Sequence, residues 1–339
     1  MFFFLLSIFI LSVLLTWLLR VYAISRKIID VPNSRSSHSI PTPRGGGVAI
    51  VISFIFSLLT ISLFEYVPAS LVVSLVGSGL LVAAIGFLDD LGHIAARWRL
   101  LGHFLSAFWI LYWLNGFSSI VLFGSEVQLG WSGVVLASIY LVWMLNLYNF
   151  MDGIDGIASI ESICVCLGGA IIFLISKESF SGFAVVVMAL SFSVMGFLVW
   201  NFPPARIFMG DAGSGFLGIS IGALSLWSSS IELHWLWSWL ILSGVFIVDS
   251  TVTLLRRLLR GEKIYEAHRS HAYQFASRWH GGHLPVTLAV LGINVLWLLP
   301  FAVCVGVGLL DGAVGLVLAY MPLLVLAIWY KAGAKHQPF

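Results

Sequence analysis

Charge is what this chain has least of. Only 9% of its 339 residues are Asp, Glu, Lys or Arg, where a soluble domain carries roughly a quarter. With 60% of residues hydrophobic and a mean hydropathy of +1.04, the shortage excludes a water-soluble globule and makes the chain an integral membrane protein. Cysteine is nearly absent too. Cys164, Cys166 and Cys304 are odd in number and lie within apolar runs, which argues against a disulfide framework and leaves them as small core side chains. No Gly-Lys-Ser or Gly-Lys-Thr is present, so there is no Walker A loop, and the acids lack the spacing and terminal Glu of an EF-hand. The net charge of +2 gives no ground for a nucleic-acid partner.

What the chain has instead is apolar length. A spanning helix needs about 20 mainly apolar residues, and eleven such stretches begin near residues 2, 47, 68, 100, 131, 157, 182, 214, 234, 285 and 312. The connections leave no room for a soluble domain, so residues 1–339 read as a single all-α polytopic bundle of about eleven transmembrane helices. Arg20, Arg26 and Lys27 follow the first stretch and no basic residue precedes it, which predicts an uncleaved helix with its N-terminus outside. Alternation then places the C-terminal tail and segments 20–46, 89–99, 152–156, 201–213 and 256–284 in the cytoplasm. Of the 17 Lys and Arg residues, only Lys177 falls on the other side, in keeping with the positive-inside rule. Glu65, Glu126, Glu178, Glu232 and Asp311 lie in short outer loops and read as solvated charges.

Five polar groups gather on the inner side. Asp89 and Asp90 end the third stretch; neighbouring carboxylates project about 100° apart on a helix, and their repulsion calls for a cation or proton nearby, unless they are ordinary boundary charges. Asn146, Asn149, Asp152 and Asp155 recur every third residue, keeping four oxygen-bearing side chains near one face, with Gly153 and Gly156 for a tight turn. That set suits a hard cation such as Mg2+, or is simply a polar helix end. Phe208-Met209-Gly210-Asp211-Ala212-Gly213-Ser214 runs into the eighth helix, offering backbone N–H groups to an anion and the Asp211 carboxylate to its metal, unless the glycines serve only the turn. Arg256, Arg257, Arg260, Lys263, His268, Arg269 and His271 supply donors for phosphate; a plain positive-inside loop competes, and zinc lacks a third ligand. Finally, Arg35-Ser36-Ser37-His38 and Pro41-Thr42-Pro43-Arg44-Gly45-Gly46-Gly47 bring Arg35, His38 and Arg44 toward a second phosphate, the glycines opening the second helix with accessible donors.

In this order and on this side, the groups resemble the polyprenyl-phosphate N-acetylhexosamine-1-phosphate transferases over about residues 20–280. The elements at 35–38, 43–47 and 268–274 are most similar to WbpL-type enzymes that start O-antigen chains, with WecA-like transfer of N-acetylglucosamine phosphate the neighbouring branch. Arg269 and Ser270 interrupt the triple-histidine pattern of the phospho-N-acetylmuramoyl-pentapeptide transferases, which argues against a peptidoglycan substrate. The resemblance implies a reaction at the cytoplasmic face of a bacterial inner membrane, in which UDP-N-acetylhexosamine and undecaprenyl phosphate give UMP and a lipid-diphosphate sugar. It implies Mg2+, with Mn2+ as a substitute, on Asp211 and Asn149. Phe208, with Gly210, would take the uracil, and Asp155 would lie near the uridine. His268, Arg269 and His271 would hold phosphate oxygens, with Asp152 among the catalytic residues and Arg35, His38, Arg44 and Asn146 as further substrate contacts. Asp89 and Asp90 are expected to arrange acceptor or metal rather than carry a covalent intermediate, because a phosphomonoester is mostly dianionic at neutral pH and already nucleophilic. Family members are often homodimers, yet no stripe of small residues here marks a contact face.

Asp249 stands apart as the acid well inside an apolar stretch, within reach of the site or of an arginine such as Arg256. His93, His103, His280 and His283 read as interfacial residues, and the 14 tryptophans as interfacial anchors and packing. A transporter or flippase for a phosphorylated solute is the competing function. It predicts polar groups through the bilayer depth or broken helices at the midplane.

Overall fold

A computed structural model describes residues 1–32, 37–38, 40–92, 94–176, 182–262 and 268–335. Arg35, His93, Lys177, Glu178 and Lys263 lie outside the described residues. In hydrocarbon a backbone has no water to bond, so long apolar runs must close their hydrogen bonds internally as helices. They do so as α1 (Phe2–Ser25), α2 (Val48–Leu63), α3 (Ala69–Gly92), α4 (Ala96–Trp113), α5 (Trp131–Met151), α6 (Ile157–Ser176) and α7 (Gly182–Asn201). There follow α8 (Asp211–Ile231), α9 (Trp235–Leu242), α10 (Gly244–Leu259), α11 (Ala272–Trp279), α12 (His283–Ile293), α13 (Leu299–Gly306) and α14 (Gly312–Trp329). Two small antiparallel pairs complete the elements, β1 (Ile29–Asp30) with β2 (Thr42–Pro43) and β3 (Ser119–Leu122) with β4 (Ser125–Gln128).

Helices cover all eleven apolar stretches. Among the described residues, eight are long and apolar enough to cross a bilayer, or nine if α9 and α10 form one span. The short α2 has 16 residues, and α4 carries Arg97 and Arg99 in its first turn. Three details differ from the sequence expectation. The ninth stretch is not one straight helix: α9 and α10 meet at an angle of 70°. The tenth is α12 and α13 joined by a π-helical turn at Asn294–Leu298. The inner loop after α10 also holds a helix of its own, α11.

The middle of the bundle is α8, buried over 83% of its apolar window against 22% for α1. It packs on α3 and α5, with α2 and α9 completing its surroundings, while α6 and α7 pack together and α7 carries α1 and α2. Phe56, Leu105, Ile139, Val325 and Trp329 are exposed on the outer helices, an apolar surface suited to lipid. Asp249 is not the only acid inside an apolar stretch. Glu161, in the second turn of α6, is fully buried and accepts from Asn294 Nδ2 at 2.7 Å.

Close packing of α5 and α8 depends on Gly218, where an added Cβ would run into the Met144 carbonyl oxygen. Gly218→Ala should therefore cost about 1–3 kcal/mol, read as a lower thermal midpoint in detergent. Gly222→Ala, whose nearest neighbour is the Leu141 side chain at 3.0 Å, should cost less.

Candidate active site

The start of α8 is built by a backbone clasp. Phe208 N–H donates to Pro43 O at 2.8 Å, and Gly46 and Gly47 N–H donate to Phe208 O and Met209 O at 2.9 Å each. The segment before α2 is thus laced to the segment before α8. Two glycine contacts let the helices converge: a Cβ on Gly47 would meet Gly213 Cα at 2.5 Å, and one on Gly86 of α3 would meet Ala212 N at 2.5 Å. Gly210 turns the chain into the helix at φ +78, a conformation costly for a side chain.

Asp90 of α3 sits at this helix start, its carboxylate accepting the Asp211 N–H at 3.1 and 3.3 Å. The N-terminal end of a helix carries partial positive charge, so a carboxylate there is worth up to about 2 kcal/mol. This corrects one expectation: the glycine loop does not offer its first N–H to an anion, because Asp90 already holds it. The Gly46 and Gly47 donors are likewise consumed by the clasp. Arg44 Nη2 bridges Asp90 Oδ1 at 2.6 Å and Asp211 Oδ1 at 2.7 Å. Asp89 accepts from Ile94 N–H at 2.6 Å and pairs with Arg99 of α4, and its carboxylate also meets that of Asp211. Arg99 also lies 3.9 Å from Asp211 Oδ2.

Beside this cluster is a cavity of about 320 Å³. His38, Arg44, Asn149, Asp152, Asp155, Phe208, Gly210 and Asp211 all line it, so eight of the sequence candidates meet at one place. Burial, followed by the nearby carboxylates of Asp211, Asp90 and Asp155, pushes the Asp152 carboxyl far above its usual range, against the pull of Arg44. Burial works against the charge of Arg44, but Asp211, Asp90 and Asp30 outweigh it and raise its pKa. The site thus holds more carboxylate than its arginines neutralise well. Asn149 Oδ1 accepts from Ser214 Oγ, and Phe208 meets the His38 ring edge-on at 4.8 Å between centroids.

Asp155 lines the cavity with both carboxylate oxygens engaged: Oδ2 accepts from Ala205 N–H at 3.0 Å, and Oδ1 lies 3.1 Å from His283 Nδ1. His283 is therefore a cavity residue rather than an ordinary interfacial one. Its Nε2 reaches Ser37 O at 3.1 Å. Asn146 does not line the cavity; its amide donates to Val142 O at 2.7 Å, one turn back on α5. A second chamber of about 640 Å³ shares His38, Asp155, Phe208 and His283 with the first and adds Arg269 and Arg278.

The His268 to Gln274 segment is organised by Asp249. Its Oδ1 accepts Ala272 N–H at 2.9 Å and Thr253 Oγ1 at 3.1 Å and lies 3.2 Å from His271 Nδ1, while Oδ2 accepts Tyr273 N–H at 2.9 Å. The expected partner Arg256 instead donates to Ala332 O at 2.8 Å. His268 and His271 stack with centroids 4.9 Å apart and line neither chamber. Burial, then the neighbouring His271 and Arg257, pulls His268 down to about 3, so at neutral pH it is an uncharged ring and not a cationic phosphate donor.

Sequence reading missed Ser214, Asn201, Gln274 and His283 as cavity residues. Two had a local signal: Ser214 is one turn beyond Asp211 on α8, and Gln274 is three residues beyond His271, where its side chain closes a capping box at 3.2 Å. Removing the Asp249 carboxylate would strand the first N–H groups of α11 in a buried place. Asp249→Ala should destabilise by about 3–5 kcal/mol and speed amide exchange at Ala272 and Tyr273, whereas Asp249→Asn, keeping one acceptor, should do less of both.

The family model described as glycosyl transferase family 4 matches residues 72–229. The probable undecaprenyl-phosphate N-acetylglucosaminyl 1-phosphate transferase of Bacillus subtilis (strain 168) is 32% identical over 268 residues, covering 77% of this chain and 72% of its own length. The phospho-N-acetylmuramoyl-pentapeptide-transferase of Bacillus thuringiensis (strain Al Hakam) is 30% identical over 288 residues, covering 76% of this chain and 85% of its own. The segments that meet around Asp211 include those matched by the family model, and the chain belongs to glycosyl transferase family 4.

Proposed function

We propose that the chain transfers an N-acetylhexosamine-1-phosphate from a UDP-sugar to undecaprenyl phosphate, releasing UMP. A lipid phosphate oxygen forms the new bond to the β-phosphorus as the bond to the UMP oxygen breaks. The observation that carries this reading is the meeting of Asp152, Asp211 and Arg44 on one cavity wall, with Asp90 bound to Arg44 behind it, since phosphoryl transfer needs charge balance and positioning more than covalent help.

A divalent cation fits the residues present. Among the described residues, no three His, Cys, Asp or Glu side chains form a metal cage; the donors at hand are oxygens of Asp211, Asn149 and Asp152. One or two carboxylates completed by substrate phosphates is the way Mg2+ is usually held. Asp211 and Asn149 would hold it, and it would supply neutralisation of the diphosphate oxygens. The protein's own groups do the rest. Arg44 faces the phosphates from the cavity wall, and Phe208 offers a ring face to uracil beside His38. Arg269 and Arg278 line the adjoining chamber, where the sugar would extend. Asp90 is occupied by α8 and Arg44, and Asp89 by Arg99, which favours direct attack over a phosphoaspartate. The Arg269-Ser270 interruption favours an O-antigen type donor, among them UDP-N-acetylglucosamine and the N-acetylfucosamine and N-acetylquinovosamine analogues, over a peptidoglycan precursor.

We read the whole chain as one integral transferase domain of the bacterial inner membrane, N-terminus outside, with this site on the cytoplasmic face where the basic residues gather. The flippase alternative needs polar groups along a path or a broken helix at the midplane; the 70° bend between α9 and α10 meets the second condition, and the first decides between the readings. Among the described residues, the two acids buried within helices each meet a partner, Glu161 through one oxygen with Asn294 and Asp249 through both with α11, and no path of polar groups links them, which favours the transferase.

The test is UMP release by detergent-purified protein given undecaprenyl phosphate, Mg2+ and a panel of UDP-N-acetylhexosamines. Release should require lipid and Mg2+ and fall at least about 100-fold in Asp211→Asn, a loss on the scale of one charge-stabilising group; no release with any donor would count against the proposal. Stability carries a second signature. Because the Asp152 pKa is raised in the fold, its contribution is present below its unfolded value near 4 and is lost as pH rises toward the raised value. Mg2+ should therefore raise the thermal midpoint over a chelated sample more at pH 8 than at pH 6, and an increment that does not change with pH would contradict this.

A further inference from the structure

We infer that Arg44 is a place-holder for the cation at Asp211, so that the divalent ion enters with the nucleotide rather than ahead of it. The inference rests on the metal-dependent reading above and adds an order of binding to it.

One guanidinium nitrogen of Arg44 lies 2.6 Å from Asp90 Oδ1 and 2.7 Å from Asp211 Oδ1. The second Asp211 oxygen faces Arg99 at 3.9 Å. Arg44 thus covers Asp211 Oδ1, and a cation approaching that oxygen must first displace a guanidinium. Arg44 need not leave the site when that happens. Asp90 is fixed against the first N–H of α8, so it keeps Arg44 tethered after Asp211 is given up. Arg44 lines the cavity with Asn149 and Asp152, and a guanidinium turned away from Asp211 remains at the wall where a diphosphate would lie.

A bare cation meets this arrangement at a disadvantage. It offers Asp211 a new partner but leaves Arg44 with one carboxylate where it had two. A nucleoside diphosphate removes the conflict, because its oxygens accept from the freed guanidinium and complete the coordination of the ion. Cation and diphosphate therefore bind cooperatively, each lowering the cost of moving Arg44.

The experiment measures Mn2+ binding to the detergent-purified full-length protein from the loss of the free-ion paramagnetic resonance signal, with protein-free titrations correcting for Mn2+ held by UDP in solution. Wild type should bind Mn2+ weakly alone and about 10-fold more tightly with saturating UDP, within the usual range of coupling between ligands, while uridine, which has no phosphates, should leave the affinity unchanged. Arg44→Gln should bind Mn2+ alone about 10-fold more tightly than wild type and gain less from UDP. Equal Mn2+ affinity with and without UDP in wild type overturns the inference without needing any variant, and so does equal Mn2+ affinity of wild type and a folded Arg44→Gln. Asp211→Asn should lose Mn2+ binding; if it does not, the ion is held elsewhere and the metal reading itself fails, a result distinct from an Arg44 without effect.

Discussion

Repulsion among carboxylates is the constraint on which the inner end of this bundle depends. Asp89, Asp90, Asp152 and Asp211 are gathered where lipid and packed helices keep water scarce, and like charges a few ångströms apart cost several kcal/mol each at an effective dielectric of about 20. Every element near them answers that cost. The start of α8 meets Asp90, Arg44 bridges Asp90 and Asp211, and Arg99 takes Asp89. Asp152 is left with burial against it, and the balance of the cluster is met by what binds there.

Backbone proximity makes the arrangement rigid. Side chains would hold α2, α3 and α8 apart; Gly47, Gly86 and Gly213 let them touch. A second clasp, from Asp155 to Ala205 and His283, with Gly156 N–H donating to Asn201 Oδ1 at 3.0 Å, fixes the far wall. The third support is Asp249, which reaches out of α10 to hold the first turn of α11. The carboxylates of the cluster are thus short side chains fixed by backbone contacts, while Arg44 keeps the freedom of a long one.

The helices were legible because lipid leaves an apolar run of about 20 residues no other structure. The bend between α9 and α10 was not, since both halves are apolar and the sequence across Ser243 and Gly244 carries no proline. The acidic groups were legible as groups, since an Asp or Asn every third residue in a chain this poor in charge stands out. Their partners were not. Arg44 and Asp211 are 167 residues apart, Asp90 and Asp211 are 121 apart, and Glu161 and Asn294 are 133 apart, and no local spacing announces such a pair. The reading of free N–H groups at Gly210 to Ser214 failed for the same reason, because the carboxylate that takes the first of them comes from another helix. Glu161 escaped notice because one acid in a long apolar stretch barely alters its hydropathy.

The clasp between residues 43–47 and 208–209 has a consequence for how the chain is made. A ribosome delivers α2 and α3 to the membrane long before α8 exists, so Asp90 waits at the surface with Arg44 but without the helix start that completes its setting. Pairings this distant in sequence form late, and the nascent chain has no cavity beside Asp211 until the eighth helix docks against the second and third. A chain cut short before α8 would hold α2 and α3 in the membrane without Asp211, the clasp or the cavity that the whole chain builds.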